Sequence, residues 1–282
     1  MTCDLHTHSI FSDGSFTPAE IIDTAIKTGL SAIALTDHNT VDGLPDFIAA
    51  AHGKSIDIVP GVEFSVDYDG IELHMLGLFI KPEAIPCVAE YLQIVIKRKE
   101  QSYINLVDAL NRAGFDLNYD KIKGATPTGV MNRAHIATAM VKSGRVSSLD
   151  EAYASYLSKT EFYKKPNVFT VWEVLDFIKS IGAVSVLAHP FGHPLKKLTF
   201  EQVSEFLPRA KEAGLVGMEC YYSTYDEEAT KTALYLADKF GILPSGGSDF
   251  HGPIKPDISL GVGKGNLQIP YEWYSELKKM AR

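Results

Sequence analysis

The chain has 282 residues, 45% hydrophobic and 22% charged, with a net charge of −8. That bounds it to one large α/β domain, or one domain plus an insertion, and argues against a general polyanion-binding surface. No apolar run approaches the roughly 18 residues of a membrane span, and Cys3, Cys87 and Cys220 are too few and too scattered for a disulfide framework, which points to a reducing, cytoplasmic setting.

Seven apolar runs read as strands: Thr2–His8, Ser31–Asp37, Asp57–Val66, Glu72–Ile80, Ala183–His189, Val216–Tyr222 and Ile242–Asp249. Helices with clear start and stop signals lie between most of them. Thr17-Pro18-Ala19-Glu20 is a capping box with proline at the first helical position, and Gly29 ends that helix. From about Val88 to Val168 the alternation breaks. Val88–Ala113, Asn132–Lys142 and Leu149–Leu157 have helical spacing, and no strand is convincing. Thr170 and Glu173 open a further helix that closes near Gly182. Thr199 and Gln202 open another that closes near Gly214, and Asp226 caps a last one that runs to Gly241. Strand–helix alternation with short links implies a parallel sheet or barrel. The expected fold is therefore α/β, a distorted (β/α)7 barrel formed by residues 1–87 and 169–282. A helical insertion, residues 88–168, leaves after strand four and returns before strand five. No basic leader segment precedes the first strand.

Metal-binding residue types fall at successive strand ends. A strand alternates faces with period two, so His6 and His8 point the same way. The candidates are His6, His8, Asp13, His38, Glu63, His74, His189, Asp249 and His251. All but His74, which sits inside strand four, lie at or just after a strand end. In β/α barrels the chemistry gathers at the C-terminal strand ends. A catalytic ion needs about three protein ligands plus open positions, so this set suits two or three divalent ions, with Glu63 able to bridge. Mixed imidazole and carboxylate donors suit Mn, Zn or Fe. Asp4 and Asp37 are candidate acceptors for imidazole N–H groups.

The motifs DLHTHS, SDG, TDHNT, GVEFS, AHP and GGSDFHG, in this order, resemble the PHP (polymerase and histidinol phosphatase) family. The resemblance spans the chain apart from the insertion. It implies a distorted seven-stranded barrel and a trinuclear centre. His6, His8, Glu63 and Asp249 would hold one ion, Glu63, His74 and His189 a second, and Asp13, His38 and His251 a third. Manganese is the expected metal, with zinc, ferrous iron or magnesium as alternatives. Glu63, His189 and Asp249 are expected at the centre of the reaction, a phosphoester hydrolysis by a hydroxide bridging two ions. Three divalent ions against Asp13, Glu63 and Asp249 would leave a surplus of about +3, suited to a phosphomonoester.

Within the insertion, R-x-H-I-A at Arg133–Ala137 and the Lys-Pro pair at Lys165 resemble the bacterial members that act on nucleoside 3',5'-bisphosphates or trim short RNAs from the 5' end. Arg133, His135 and Lys165 would then reach a second phosphate, since arginine can grip phosphate with two parallel hydrogen bonds. His193 reads either as a donor to the leaving oxygen or as a surface-loop histidine. Ser223 and Tyr225, after strand six, lie near the expected mouth. The expected activity is release of the 3'-phosphate from a nucleoside 3',5'-bisphosphate. The alternatives are a 5'-3' exonuclease on short 5'-phosphorylated oligoribonucleotides, then a histidinol phosphatase, then a metal amidohydrolase. The expected partner is a small anionic substrate, with no membrane and no obligate protein partner.

Overall fold

Seven strands follow one another in chain order around a nearly closed barrel: β1 (Cys3–Asp4), β2 (Ala32–Leu35), β3 (Asp57–Tyr68), β4 (Ile71–Leu78), β5 (Val184–Ala188), β6 (Gly217–Tyr222) and β7 (Leu243–Gly247). The computed structural model describes residues 1–125, 131, 133–163, 169–192 and 198–282. The seam between the first and last strands is bridged just past β1, where Leu5 N–H donates to Gly246 O at 3.1 Å and Asp249 N–H to His6 O at 2.9 Å.

The expected all-parallel arrangement needs one correction. β4 runs antiparallel to both β3 and β5, while β1–β3 and β5–β7 are parallel. The reason is the link between β3 and β4, the two residues Asp69 and Gly70, both at positive φ (49° and 82°). Two positive-φ residues make a tight hairpin turn. A crossover to a parallel neighbour needs a dozen residues or more.

Helices form where the sequence supplies caps. α1 (Pro18–Thr28) carries the complete Thr17–Glu20 capping box and ends at Gly29 at φ 81°. α7 (Val171–Ser180) and α8 (Phe200–Ala213) begin with the same box at Thr170 and Thr199. The Asp226 side chain caps α9 (Glu227–Phe240). Two further helices, α2 (Leu44–Ala51) and α10 (Tyr271–Met280), have no side-chain cap. α10 is held instead by its buried face. Tyr274 and Leu277 join the cluster of Cys3, Leu5, Ala34, Val59, Leu76 and Val186 inside the barrel. Burying each such side chain contributes about 1.5–3 kcal/mol, more than the roughly 1 kcal/mol of a missing cap.

The chain divides into two compact units, Met1–Leu92 with Phe169–Arg282, and Gln93–Val168. The first is the barrel and its helices. α3 (Ile85–Arg112) starts in it, where Tyr91 stacks on Phe177 at 3.7 Å and on Phe169 at 4.0 Å. The second holds the rest of α3, α4 (Tyr119–Gly124), α5 (Arg133–Lys142) and α6 (Leu149–Ala152), which runs on into a π turn at Tyr153–Leu157. Leu106, Val107, Leu110, Ile136, Met140 and Leu157 form its own core.

Candidate metal centre

Glu63, fully buried in β3, is the hub of the barrel's upper end. Its Oε2 faces three imidazoles, His6 Nε2 at 3.1 Å, His8 Nε2 at 3.2 Å and His38 Nδ1 at 3.1 Å. Its Oε1 faces two more, His74 Nδ1 at 2.8 Å and His189 Nε2 at 3.1 Å. Asp249 Oδ1 lies 3.1 Å from His8 Nε2 and 3.7 Å from His6 Nε2. On the outer side, Asp13, about half exposed, lies 3.2 Å from His251 Nε2, 3.7 Å from His8 Nδ1 and 3.9 Å from His38 Nε2.

All nine candidates named from the sequence thus stand in one constellation, and several sets of donor atoms lie within 4.8 Å of one another. These are His6–His8–Glu63, His38–Glu63–His74, His6–His189–Glu219 and His8–Asp13–His38–His251. The last set differs from the implied third group by including His8, whose second ring nitrogen turns toward Asp13.

The backbone bends sharply to present them. His189 and Asp249 have positive φ (27° and 55°), as does Asn39 (50°), next to His38. Such conformations cost about 1–3 kcal/mol each and persist where surroundings enforce them. For Asn39 the enforcement is visible. Its side chain donates to Ser65 Oγ and accepts from Ser65 N–H, both at 3.0 Å.

The donor set fits divalent ions. One carboxylate oxygen cannot satisfy three imidazole nitrogens with its two lone pairs, yet His6, His8 and His38 all converge on Glu63 Oε2. The Nδ1 of fully buried His8 has no hydrogen-bond partner, which is costly unless something else satisfies it. Electrostatics point the same way. Burial opposes charge on Glu63, but the imidazoles of His38, His6 and His74 hold its carboxyl well below the usual carboxylate range. Burial likewise works against Asp249, and His8 and His6 outweigh it. Burial disfavours protonated His8, but Asp249 and Glu63 carry its pKa up to about 9. Burial dominates at His38, which falls to about 4. Together the carboxylates draw positive charge into the cluster.

Two expectations are corrected. Asp4 and Asp37 do not orient imidazoles. Asp4, fully buried, accepts from Ser248 N–H at 2.8 Å, Ser248 Oγ at 2.5 Å and Gly261 N–H at 2.8 Å. Asp37 accepts from Ser9 N–H at 2.7 Å and from the hydroxyls of Ser9 and Ser12 at 2.6 Å. Both spend their lone pairs tying loops together. The carboxylate that does reach an imidazole is Glu219, whose Oε1 is 2.9 Å from His6 Nδ1. Its signal in the sequence was a single acidic residue inside the apolar run Val216–Tyr222.

Ser223 and Tyr225 also serve the scaffold. Ser223 Oγ donates to Ser248 O at 2.5 Å, and Tyr225 Oη accepts from Phe191 N–H at 3.1 Å. Arg133 and His135 lie in the helical unit. There the Arg133 guanidinium sits 4.8 Å over the Tyr163 ring and donates to Leu157 O at 3.3 Å. Lys165 and His193 fall outside the described residues.

Known proteins place this geometry. The chain is 31% identical over 252 residues to a 5'-3' exoribonuclease of Haemophilus influenzae, covering 89% of this chain and 90% of that one. It is 31% identical over 254 residues to a 3',5'-nucleoside bisphosphate phosphatase of Chromobacterium violaceum, covering 89% and 87%. Among solved structures, an amidohydrolase from Chromobacterium violaceum with bound sulfate and no metal superposes with a TM-score of 0.73 at 27% identity, covering all of this chain and 98% of that one. Residues 4–193, from the first strand through the His189 turn, match the PHP domain. With the barrel, the buried Glu63 hub and its ring of imidazoles, that match settles the family: the chain belongs to the PHP domain family of metal-dependent phosphoesterases.

Proposed function

We propose that this phosphoesterase removes the 3'-phosphate of nucleoside 3',5'-bisphosphates. The observation that carries the reading is the convergence of five imidazoles on the two oxygens of one buried carboxylate, Glu63. Similarity to the Chromobacterium violaceum bisphosphate phosphatase supports the substrate class. His6, His8, Glu63 and Asp249 would hold one divalent ion, His74 and His189 with Glu63 a second, and Asp13, His38 and His251 a third, manganese being preferred. When bound, such ions bring the pKa of water toward neutrality and offset phosphate charge.

The chain's own residues aim and confine. Glu63 holds imidazoles from four separate stretches of chain in one place. Asp249 Oδ2 accepts from Tyr222 Oη at 2.8 Å and Lys255 Nζ at 3.0 Å, which turns Oδ1 toward His8. Lys255, partly exposed, adds a positive charge beside Asp249 that favours an arriving phosphate. Below the site, Leu5, Ala34, Leu76 and Val186 fill the barrel and exclude water from that side. Phosphoryl transfer asks for positioning and charge neutralisation more than for a protein base.

A second reading, 5'-3' exonuclease action on short 5'-phosphorylated RNAs, is favoured by the likeness to the Haemophilus influenzae enzyme. One assay separates the two. Metal-stripped protein is supplied with Mn²⁺, and phosphate or nucleotide release is followed from nucleoside 3',5'-bisphosphates, mononucleotides and 5'-phosphorylated dinucleotides. Fastest phosphate release from the bisphosphate supports the first reading. Mononucleotide release from the dinucleotide without bisphosphate turnover overturns it in favour of the second.

A further inference from the structure

β6 contributes none of the nine candidate ligands, yet two of its side chains point into the centre. Regular alternation would forbid this pair. Glu219 and Tyr222 are three residues apart, so on an undistorted strand they face opposite sides. The strand is distorted. Glu219 pairs with Ser245, but the next pair on β7, at Gly246, is Tyr221, leaving Cys220 as an extra residue. A bulge of this kind shifts the alternation by one. Tyr221 then turns outward against Trp273, with ring centroids 4.7 Å apart, and Tyr222 turns inward.

Each inward side chain grips residues of the candidate centre. Fully buried Glu219 uses both oxygens. Oε1 is 2.9 Å from His6 Nδ1, and Oε2 accepts the backbone N–H of His189 at 2.7 Å. A carboxylate only accepts, so Nδ1 of His6 carries a proton, and Nε2, which faces Glu63, is the nitrogen that would take an ion. Tyr222 donates to Asp249 Oδ2 at 2.8 Å, and its ring lies 4.9 Å from that of His189. One strand thus touches His6, His189 and Asp249, which arrive from the ends of β1, β5 and β7.

We propose that the bulge in β6 makes it the aiming strand of the metal centre, with Glu219 and Tyr222 as positioning residues that fix the ligand atoms of His6, His189 and Asp249. The inference rests on the metal-site reading above. Glu219 is assigned a positioning role because it addresses His6 at Nδ1, the ring nitrogen opposite the Nε2 that faces Glu63, and so stands behind that imidazole. A glutamine in its place cannot reproduce the pattern. With its amide NH2 toward His6, Nδ1 must accept and the proton moves to Nε2, which can then no longer bind an ion. With its NH2 toward His189, two donors face each other.

The test uses the full chain, metal-stripped, with Mn²⁺ as the probe. Affinity is read by chelator competition, and stoichiometry by metal analysis at saturation. The parent is compared with Glu219→Gln and Tyr222→Phe. Mutations of groups that orient metal-bound histidines typically weaken affinity 10–100-fold. Glu219→Gln should therefore bind Mn²⁺ roughly tenfold or more weakly while still reaching the parent's stoichiometry. Tyr222→Phe should lose less, because Lys255 remains on Asp249 Oδ2. The metal-free Tyr222→Phe protein should keep the parent's circular dichroism and melting temperature. Parent-like affinity in a variant overturns the assignment of that residue, and a stoichiometry one ion lower in Glu219→Gln shows a ligand rather than a positioning group. If Glu219→Gln fails to fold, Tyr222→Phe alone decides whether β6 aims the centre. A parent chain that binds no Mn²⁺ overturns the metal-site reading itself.

Discussion

His74 Nδ1 stands 2.8 Å from Glu63 Oε1, although the two residues lie on strands running in opposite directions. The hairpin register explains this. Glu63 pairs with Leu76, and His74, two residues before Leu76, shares its face. His74 also pairs with Ala188, so it stands beside His189 on the other flank. A reversed strand cannot present its C-terminal end at the top of the barrel, and β4 therefore supplies its imidazole from its middle.

Because Glu63 gathers five imidazoles, Glu63→Ala should cost more than the loss of any one of them. Activity should fall by well over a hundredfold, beyond the 10–100-fold typical of groups one step further from a metal. Bound metal should fall with it. Metal analysis and turnover, compared with His74→Ala and His38→Ala, check the ranking. Near-normal turnover in Glu63→Ala would place the hub elsewhere.

Metal removal should abolish phosphoester hydrolysis, and Mn²⁺ should restore it. It should also lower the melting temperature, because an ion at 100 times its Kd adds about 2.7 kcal/mol to the folded state. For a chain of this size that corresponds to roughly 5 °C or more. Differential scanning calorimetry with and without chelator measures the shift.

Gly247, at the end of β7, lies against His6. A Cβ there would collide with the Cβ and backbone nitrogen of His6. Backbone cannot yield as a flexible side chain can, so Gly247→Ala should destabilise by at least about 1–3 kcal/mol. It should also impair Mn²⁺ binding, as His6 is displaced. Urea unfolding together with metal analysis tests both effects.

Arg133 has work inside the helical unit, over Tyr163 and on Leu157 O. The sequence also suggests a phosphate-binding role. If Arg133 takes a second phosphate, Arg133→Ala should slow bisphosphate hydrolysis about tenfold to over a hundredfold, the value of a lost charge-assisted contact. Hydrolysis of a generic aryl phosphate should be nearly unchanged. Equal losses on both substrates would confine Arg133 to holding its own unit together.

At the opposite end of the barrel, Tyr271 Oη donates to Asp57 Oδ2 at 2.6 Å, and Lys278 lies 3.7 Å from Oδ1. Partial burial raises the Asp57 carboxyl, but Tyr271, Tyr274 and Lys278 together hold it below its usual value. A depressed carboxyl contributes stability above its unfolded pKa and loses it as pH falls through the folded one. Asp57→Asn should therefore lower the melting temperature at pH 7 and flatten its decline below about pH 4. Tyr271→Phe should cost about 1 kcal/mol at neutral pH. Melting curves across pH 2–7 check the sign.

Short-range signals in the sequence determined most of the frame and the set of candidate ligands. Period-two runs marked the strands, the boxes at Thr17, Thr170 and Thr199 marked helix starts, and glycines marked their ends. The spacing of His6 and His8 placed both rings on one face, where both reach Glu63 Oε2. These signals act within a few residues, so they are visible in the chain itself. Helices α2 and α10 lack side-chain caps, so no capping residue in the chain marked where they start. The reversal of β4 turned on one two-residue link. Asp4 and Asp37 stood beside ligand histidines in the chain, but their lone pairs were claimed by Ser248, Gly261, Ser9 and Ser12. Glu219 reaches His6 across 213 positions, and Tyr222 faces the centre only because Cys220 is extra in its ladder. Partnerships of that range are decided by where strands meet and which face a bulge presents, and only the closed barrel brings those residues together.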